Sequence, residues 1–253
     1  MRAVIGLAAL LSCACSSLEG GAAASWGEAH ALDEMMVDFL DRHDVPGAAL
    51  AVSEDGAVVY SRGFGLIERG HRERVSATSL FRIASISKPI TAVCVLQLVE
   101  RGELSLEANP FELIGFGEAL GGAGCDERLQ QVTVRQLLSH RGGWDRGVSY
   151  DPMFQTLRIK RELGLSTTPS ARDIIRFMLS EPLDFDPGEG YAYSNFGYCV
   201  LGRVIEAVTG QPYEEAVRER VLAPLGIKGM RIGRSLPEDR ALDEVAYHDQ
   251  KGR

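Results

Sequence analysis

Lysine is scarce in this sequence of 253 residues. The chain has only four lysines, namely Lys88, Lys160, Lys228 and Lys251. Arginine supplies most of the positive charge. The formal net charge is −8, and the sequence contains no cluster of basic residues. Both features argue against a nucleic acid as the partner. A lysine that opens an apolar helix is therefore a candidate for a task that arginine cannot perform.

Signatures of several other protein classes are missing. After residue 25, no apolar run approaches the roughly 18 residues that a membrane span needs. No Cys-x-x-Cys pair and no histidine at ligand spacing accompanies Cys94, Cys125 or Cys199, so we expect no metal site. Cys94 and Cys199 lie in apolar helical patterns and are predicted to be buried thiols. The number of cysteines also allows one disulfide, but their spacing does not assign its partners. The chain also lacks a Gly-x-Ser-x-Gly elbow, a glycine-rich phosphate loop followed by lysine, and internal repeats.

The N-terminus has the pattern of an export signal. A charged start precedes the apolar run AVIGLAALL and a tail of small residues, which predicts a signal peptide over residues 1–24. The residues up to Cys13 resemble a bacterial lipoprotein box, in which Cys13 would carry the lipid, whereas Ala22 to Ala24 offer ordinary cleavage. The alternative to a signal is a buried first helix. We therefore expect an exported protein, either periplasmic or held at the membrane by a lipid anchor.

The remainder has the composition of an ordinary globular domain, which we assign to residues 25–253. Two β-rich runs around Asp55-Gly56 predict a hairpin within residues 48–68. Apolar residues at helical spacing predict helices over residues 28–43, 85–100, 134–142, 196–208 and 212–222, and one that begins near Ser170. The first helix is predicted to present one apolar face, made of Leu32, Met35, Met36 and Phe39. A lone hairpin is too small a sheet, so further strands either lie at the C-terminus or are absent from this chain.

Ser85 and Lys88 lie three residues apart where the helix over 85–100 begins. This spacing stacks their side chains on one helix face. A serine hydroxyl becomes a good nucleophile when a base takes its proton, and a neutral lysine amine can be that base. The positive end of the helix dipole favours the neutral amine, and the backbone N–H groups there can bind an oxyanion. The spacing also fits a capping serine followed by a solvated lysine.

A second group of polar residues, Tyr193-Ser194-Asn195, follows the turn-rich segment EPLDFDPGEGYA and precedes an apolar helix. A tyrosine beside a lysine can act as a general acid or base, and an asparagine amide can hold a substrate carbonyl. The simpler interpretation is a surface turn in which Asn195 caps the helix. The two roles of Asn195 are not exclusive.

Together these segments resemble the serine β-lactamase and penicillin-binding-protein superfamily. The resemblance rests on SISK at a helix start, on LLSHRGGW, and on PGEGYAYSNFGY with the helix after it. It runs from about Val45 to Ile232 and is closest to class C β-lactamases, D-alanyl-D-alanine carboxypeptidases and esterases. It implies an α+β fold of the β-lactamase/transpeptidase type. In that fold helices flank an antiparallel sheet, and an all-α lobe is inserted over about 102–190.

The resemblance also implies a mechanism. Ser85 would be the acylated nucleophile, Lys88 its partner base and Tyr193 a second acid or base. Asn195 would contact the substrate and Lys88, whereas His140, within LLSHRGGW, would be structural rather than catalytic. The implied substrates are small-molecule or peptide acyl compounds, namely β-lactams, D-alanyl peptides or esters. This chemistry implies no cofactor.

The sequence departs from the family's pattern in one respect. Members carry a third motif, Lys-Thr-Gly or His-x-Gly, on a strand far downstream of the tyrosine motif, and this chain has no match before Arg253. We therefore expect the C-terminal strands of the fold to be missing, as in a fragment or a truncated relative. The alternative to a serine hydrolase is a non-catalytic relative that acts as a binding or sensor protein, or a non-functional product.

Overall fold

The computed structural model describes residues 29–247. The predicted signal over residues 1–24 and the candidate lipidation site Cys13 lie outside the described residues. The described chain forms two compact units, one made of residues 29–83 with 222–247 and the other of residues 84–221. Within residues 29–247, every helix is too short or too polar to cross a membrane.

The first unit contains a helix and a hairpin, namely α1 (Ala29–Arg42), β1 (Gly47–Glu54) and β2 (Ala57–Gly65). The predicted hairpin is confirmed, because the two strands pair antiparallel with Val52 opposite Tyr60. Asp55 and Gly56 both have positive φ, of 49° and 79°, as a two-residue type I′ turn requires. Among the described residues, these two strands form the only sheet.

Helix α1 packs on the hairpin through a narrow apolar stripe. Met36 and Leu40 are buried in a cluster with Phe64 of β2. The predicted face is partly wrong, because Met35 and Phe39 are 51% and 46% exposed. Residues four positions apart lie on one side of a helix. Because Met36 and Leu40 face the hairpin, Met35 and Phe39 on the adjacent side face solvent.

Polar contacts hold residues 222–247 within the first unit. Arg82 pairs with the carboxylate of Glu244 at 3.1 Å, and Glu244 is buried. The backbone N–H of Arg82 also donates to the Tyr247 hydroxyl at 2.6 Å. Because a buried carboxylate is costly without a partner, this pair fixes the C-terminal part of the segment beside residue 82.

The second unit is helical. Its helices are α2 (Ser87–Glu100), α3 (Pro110–Leu113), α4 (Val134–Leu138), α5 (Thr156–Glu162), α6 (Ala171–Met178), α7 (Asn195–Thr209) and α8 (Tyr213–Val217). Helix α7 forms the centre of the core, because α2, α3, α4, α6 and α8 all pack against it. Its buried residues include Phe196, Val200 and Ile205. The first turns of α2 and α7 meet, because Nζ of Lys88 donates a hydrogen bond to Oδ1 of Asn195 at 2.7 Å.

Two helix starts show how capping frees a side chain for other contacts. Ser170 caps α6 as predicted, in a capping box with Asp173. For α7 the predicted cap is wrong: Ser194 is the N-cap, and its hydroxyl accepts a hydrogen bond from the N–H of Gly197 at 3.1 Å. Because Ser194 satisfies that donor, Asn195 sits in the first turn of α7 with its amide available elsewhere.

Candidate active site

Ser85 lies on a strained turn that leads into α2. It is the middle residue of a 3-10 turn, Ala84–Ile86, which runs directly into α2 at Ser87. Ala84 has a φ of 44°, in the left-handed region that costs a residue with a Cβ roughly 1 kcal/mol or more. The turn leaves Ser85 exposed to solvent. Strain of this kind occurs where surrounding structure holds a side chain in a required position.

Lys88 lies one helical turn after Ser85 and contacts it. Its Nζ donates to Oγ of Ser85 at 3.2 Å and to Oδ1 of Asn195 at 2.7 Å. The amine also lies 4.7 Å from the centre of the Tyr193 ring. Lys88 is partly buried, whereas the Ser85 hydroxyl that it contacts belongs to an exposed residue.

Tyr193 approaches Ser85 from the loop before α7. Its hydroxyl donates a hydrogen bond of 2.6 Å to Oγ of Ser85. The hydrogen bond with Lys88 is the largest cause that lowers the pKa of Tyr193, followed by the hydrogen bond with Ser85. The guanidinium of Arg146 lies 5.1 Å from the centre of the ring and lowers the pKa further. The phenol is therefore easier to deprotonate than an ordinary tyrosine.

A carboxylate that the sequence analysis missed orients Asn195. The Nδ2 of Asn195 donates to Oδ2 of Asp151 at 2.6 Å, while Oδ1 of Asn195 faces Lys88. The other oxygen of Asp151 caps the 3-10 turn Pro152–Phe154 by accepting from the N–H of Met153 at 3.0 Å. An aspartate before a proline does signal a helical cap, but nothing in the sequence connects position 151 with position 195.

His140 lies against the same tyrosine. Helix α4 ends at Leu138, four residues before the predicted end, and the chain reverses at His140 with a φ of 57°. The imidazole and the Tyr193 ring are 4.7 Å apart between centres. Burial lowers the pKa of His140, and the charge of Lys88 lowers it further. His140 is therefore close to the predicted site residues. Its side-chain hydrogen bond goes to the N–H of Ser194 and not to Ser85.

A cavity of about 470 Å³ opens beside Ser85 and Lys88. Its walls come from α2, α7, α8 and the turn after Asp151, and they include Thr91, Met153, Phe154, Tyr198, Gly202 and Tyr213. Cys199 also lines it as a free thiol whose pKa burial raises to about 11. Such a thiol stays protonated and acts as an apolar wall. The cavity has room for the organic substituent of a compound whose reactive atom lies next to the Ser85 hydroxyl.

The structure thus brings together Ser85, Lys88, Tyr193 and Asn195, the four residues predicted from the sequence. An amine and a phenol both lie within hydrogen-bond distance of one serine hydroxyl, which is the geometry that nucleophilic catalysis requires. Over residues 29–247, no group of three or more histidine, cysteine, aspartate or glutamate side chains could hold a metal ion. A hydroxyl flanked by an amine and a phenol is an arrangement that can carry out acyl transfer, with the hydroxyl as nucleophile.

Comparison with known protein sequences gives matches over most of the chain. Residues 32–253 match the family described as Beta-lactamase. The chain is 35% identical to Esterase EstB of Burkholderia gladioli over 86% of this chain and 54% of the esterase. It is 33% identical to Penicillin-binding protein 4 of Amycolatopsis lactamdurans over 81% of this chain and 48% of that protein. The chain therefore spans about half the length of these curated relatives.

Comparison with solved structures gives a similar result for the fold. The octameric penicillin-binding protein homologue from Pyrococcus abyssi superimposes with a TM-score of 0.66 and 27% sequence identity. The superposition covers 88% of this chain and 49% of the homologue. The homologue thus shares the fold of most of this chain.

Proposed function

This chain belongs to the beta-lactamase family, and on that basis we propose that it is a serine hydrolase that forms an acyl-enzyme on Ser85. The observation that carries the proposal is the pair of hydrogen bonds at Oγ of Ser85, from Tyr193 at 2.6 Å and from Lys88 at 3.2 Å. A capping serine beside a solvated lysine would have no need of either contact. Both groups touch the one oxygen that must lose a proton.

In the first step Oγ of Ser85 attacks the carbonyl carbon of the substrate. The hydroxyl proton passes to the Lys88–Tyr193 pair, with Lys88 as the partner base of the serine. Backbone N–H groups at the start of α2 offer hydrogen bonds to the oxyanion that forms. The tetrahedral intermediate then expels its leaving group, which takes a proton from Tyr193, and an ester of Ser85 remains.

In the second step a water molecule hydrolyses this ester. Tyr193, whose pKa is lowered by Lys88, takes a proton from the water as the oxygen attacks the ester carbonyl. The acid product leaves, and Oγ of Ser85 recovers its proton from Lys88. Because Lys88 and Tyr193 contact each other, one proton can pass between the two groups from the first step to the second.

The proposed substrates are acyl compounds: esters, β-lactams or D-alanyl peptides. The names of the relatives, an esterase and a penicillin-binding protein, support this range. The cavity beside Ser85 supports a role in holding the acyl group, and the amide of Asn195 can contact the substrate carbonyl. The alternative, a non-catalytic binding or sensor protein, would keep the cavity without hydrolysis.

Hydrolysis of p-nitrophenyl acetate tests the proposal with a matched pair of variants. Ser85→Ala should lose nearly all of the activity, because it removes the nucleophile. Ser87→Ala, an exposed serine two positions away, should retain it. If Ser85→Ala and the unmodified protein hydrolyse the ester equally fast, the proposed function is wrong. If the unmodified protein hydrolyses no ester, β-lactam or D-alanyl peptide, the non-catalytic alternative is favoured.

We also propose that the chain is exported, on the strength of the signal pattern over residues 1–24. Lipidation at Cys13 would leave the protein in the membrane fraction, whereas cleavage after Ala24 would release it. Fractionation of cells that express the full chain or Cys13→Ser separates these outcomes. Retention of the unprocessed chain in the cytoplasm would contradict export.

A further inference from the structure

His140 holds the chain on both sides of Tyr193. Its carbonyl oxygen accepts a hydrogen bond from the N–H of Ala192 at 3.0 Å. Its imidazole Nδ1 accepts a hydrogen bond from the N–H of Ser194 at 3.2 Å. One residue thus accepts hydrogen bonds from the backbone N–H groups immediately before and after Tyr193, so the backbone is held on both sides of the tyrosine.

The ring of His140 adds a third contact to the same tyrosine. It packs on the Tyr193 ring with 4.7 Å between centres and a tilt of 34°. Tyr198 of α7 lies 5.1 Å away, and Tyr191 meets the imidazole edge-on at 6.0 Å. The phenol that contacts Ser85 is therefore held through its backbone and through its ring, and His140 takes part in both.

We propose that His140 is a positioning residue that keeps the Tyr193 hydroxyl against Ser85, and that it does so only while its Nδ1 carries no proton. The inference rests on the proposed function, in which Tyr193 acts on Ser85. His140 makes no contact with the reacting atoms in this scheme. It acts through Tyr193.

Protonation would break the contact for two reasons. A protonated Nδ1 would point its N–H at the N–H of Ser194, so two donors would face each other. The imidazolium would also add a positive charge near Lys88, in a site where Arg146 already lies over the Tyr193 ring. The phenol rings of Tyr191, Tyr193 and Tyr198 also face the imidazole.

The direction of the pH effect follows from these surroundings. Burial and the charge of Lys88 lower the pKa of His140 from its ordinary value of 6.5. The neutral form, and with it the hydrogen bond to Ser194, is therefore retained at neutral pH and lost as the pH falls through the lowered pKa. Activity should then show an additional fall on the acid side that disappears when His140 is replaced by a residue that does not titrate.

Two substitutions separate positioning from simple loss of structure. His140→Asn keeps an acceptor oxygen near the place of Nδ1, does not titrate at acidic pH, and tolerates the φ of 57° that position 140 requires. His140→Ala removes the acceptor and the ring and tolerates that φ poorly. If His140→Ala fails to fold, His140→Asn still tests the inference.

The experiment measures kcat and KM for p-nitrophenyl acetate between about pH 5 and about pH 9, with Ser85→Ala as the control for function. At pH 8 we expect His140→Asn to keep kcat within about threefold and His140→Ala to lose about tenfold in kcat with little change in KM. Below the ordinary histidine range, kcat of the unmodified protein should show an additional fall that His140→Asn lacks. The same acid limb in both proteins, or an unchanged kcat in His140→Ala, would overturn the inference.

A second measurement keeps this inference separate from the proposed function. The absorbance titration of Tyr193, taken as the difference between each protein and its Tyr193→Phe version, reports the contacts of the phenol without any substrate. In His140→Ala the pKa of Tyr193 should rise relative to His140→Asn, because the phenol moves away from Lys88. An unchanged titration would contradict positioning by His140, even if Ser85→Ala shows that the proposed function is correct.

Discussion

The hydroxyl of Tyr193 donates a 2.6 Å hydrogen bond to Oγ of Ser85, although 108 positions separate the two residues in the chain. The contact exists because α2 and α7 pack together in the core and each residue stands near the start of its helix. Lys88 touches both side chains. Any change that moves one helix start relative to the other should therefore affect reactivity before it affects folding.

Tyr193→Phe should lower kcat by about a hundredfold or more, because it removes a general acid and base. The free energy of unfolding should change by no more than about 1 kcal/mol, since the lost hydrogen bond goes to an exposed serine. Tyr191→Phe is the matched control, because Tyr191 is exposed and lies two positions away. A large drop in the melting temperature of Tyr193→Phe would instead favour a structural role.

Lys88→Arg should be nearly as damaging to kcat as Lys88→Ala. Arginine keeps the positive charge but cannot accept the proton of Ser85. Lys228→Arg, at an exposed position, serves as the control for the substitution itself. Retention of most activity by Lys88→Arg would rule out Lys88 as the proton acceptor and leave Tyr193 as the base.

Asp151→Asn should lower kcat by about tenfold. Asp151 accepts from two donors, Nδ2 of Asn195 and the N–H of Met153, and an amide has only one acceptor atom for them. Asn195 would then turn its Nδ2 toward Lys88, which is also a donor. The double variant Asp151→Asn with Asn195→Asp restores an acceptor at each contact, so a double-mutant cycle on kcat should show coupling. Strict additivity of the two changes would mean that Asp151 does not orient Asn195.

Asp126 should stabilise the second unit in a way that depends on pH. Its carboxylate accepts from the Arg128 guanidinium at 2.6 Å and from the N–H of Leu183 at 2.9 Å. These hydrogen bonds, with Arg128 the largest cause, lower the pKa of Asp126 to about 2 from 3.8. A lowered carboxyl pKa gives stability that is fully present above about pH 4 and is lost as the pH falls toward about 2.

Urea unfolding over this range provides the measurement for Asp126. Asp126→Asn should cost about 2 kcal/mol at neutral pH, and the difference from the unmodified protein should shrink as the pH approaches 3. Glu127→Gln, an exposed neighbour, should cost little at any pH. A cost for Asp126→Asn that does not vary with pH would mean that the charge of Asp126 is not what stabilises the unit.

The sequence motifs predict the fold of this chain correctly. The family match and the structural likeness confirm an α+β fold of the β-lactamase/transpeptidase type. Local signals were sufficient for the hairpin at Asp55-Gly56 and for the cap at Ser170, because turn geometry and capping depend on a few adjacent residues. They were insufficient at α7, where Ser194 and Asn195 are both good caps and only tertiary contacts decide between them.

The proximity of the candidate site residues was predictable only in part. The spacing of Ser85 and Lys88 predicts their contact, because both lie on one helical turn. The contact of Asp151 with Asn195 and the hydrogen bond from Ser194 to His140 were missed. Both contacts join positions that are far apart in the chain, and a single sequence carries no signal for such pairs.

Covalent labelling of Ser85 tests the central claim most directly. A fluorophosphonate reacts when a nucleophilic oxygen displaces fluoride at phosphorus, and the adduct can be located by mass spectrometry of peptides. We predict an adduct on Ser85 in the unmodified protein and none on that peptide in Ser85→Ala, with slower labelling in Tyr193→Phe. Equal labelling of the unmodified protein and Ser85→Ala, or an adduct confined to another residue, would contradict the account.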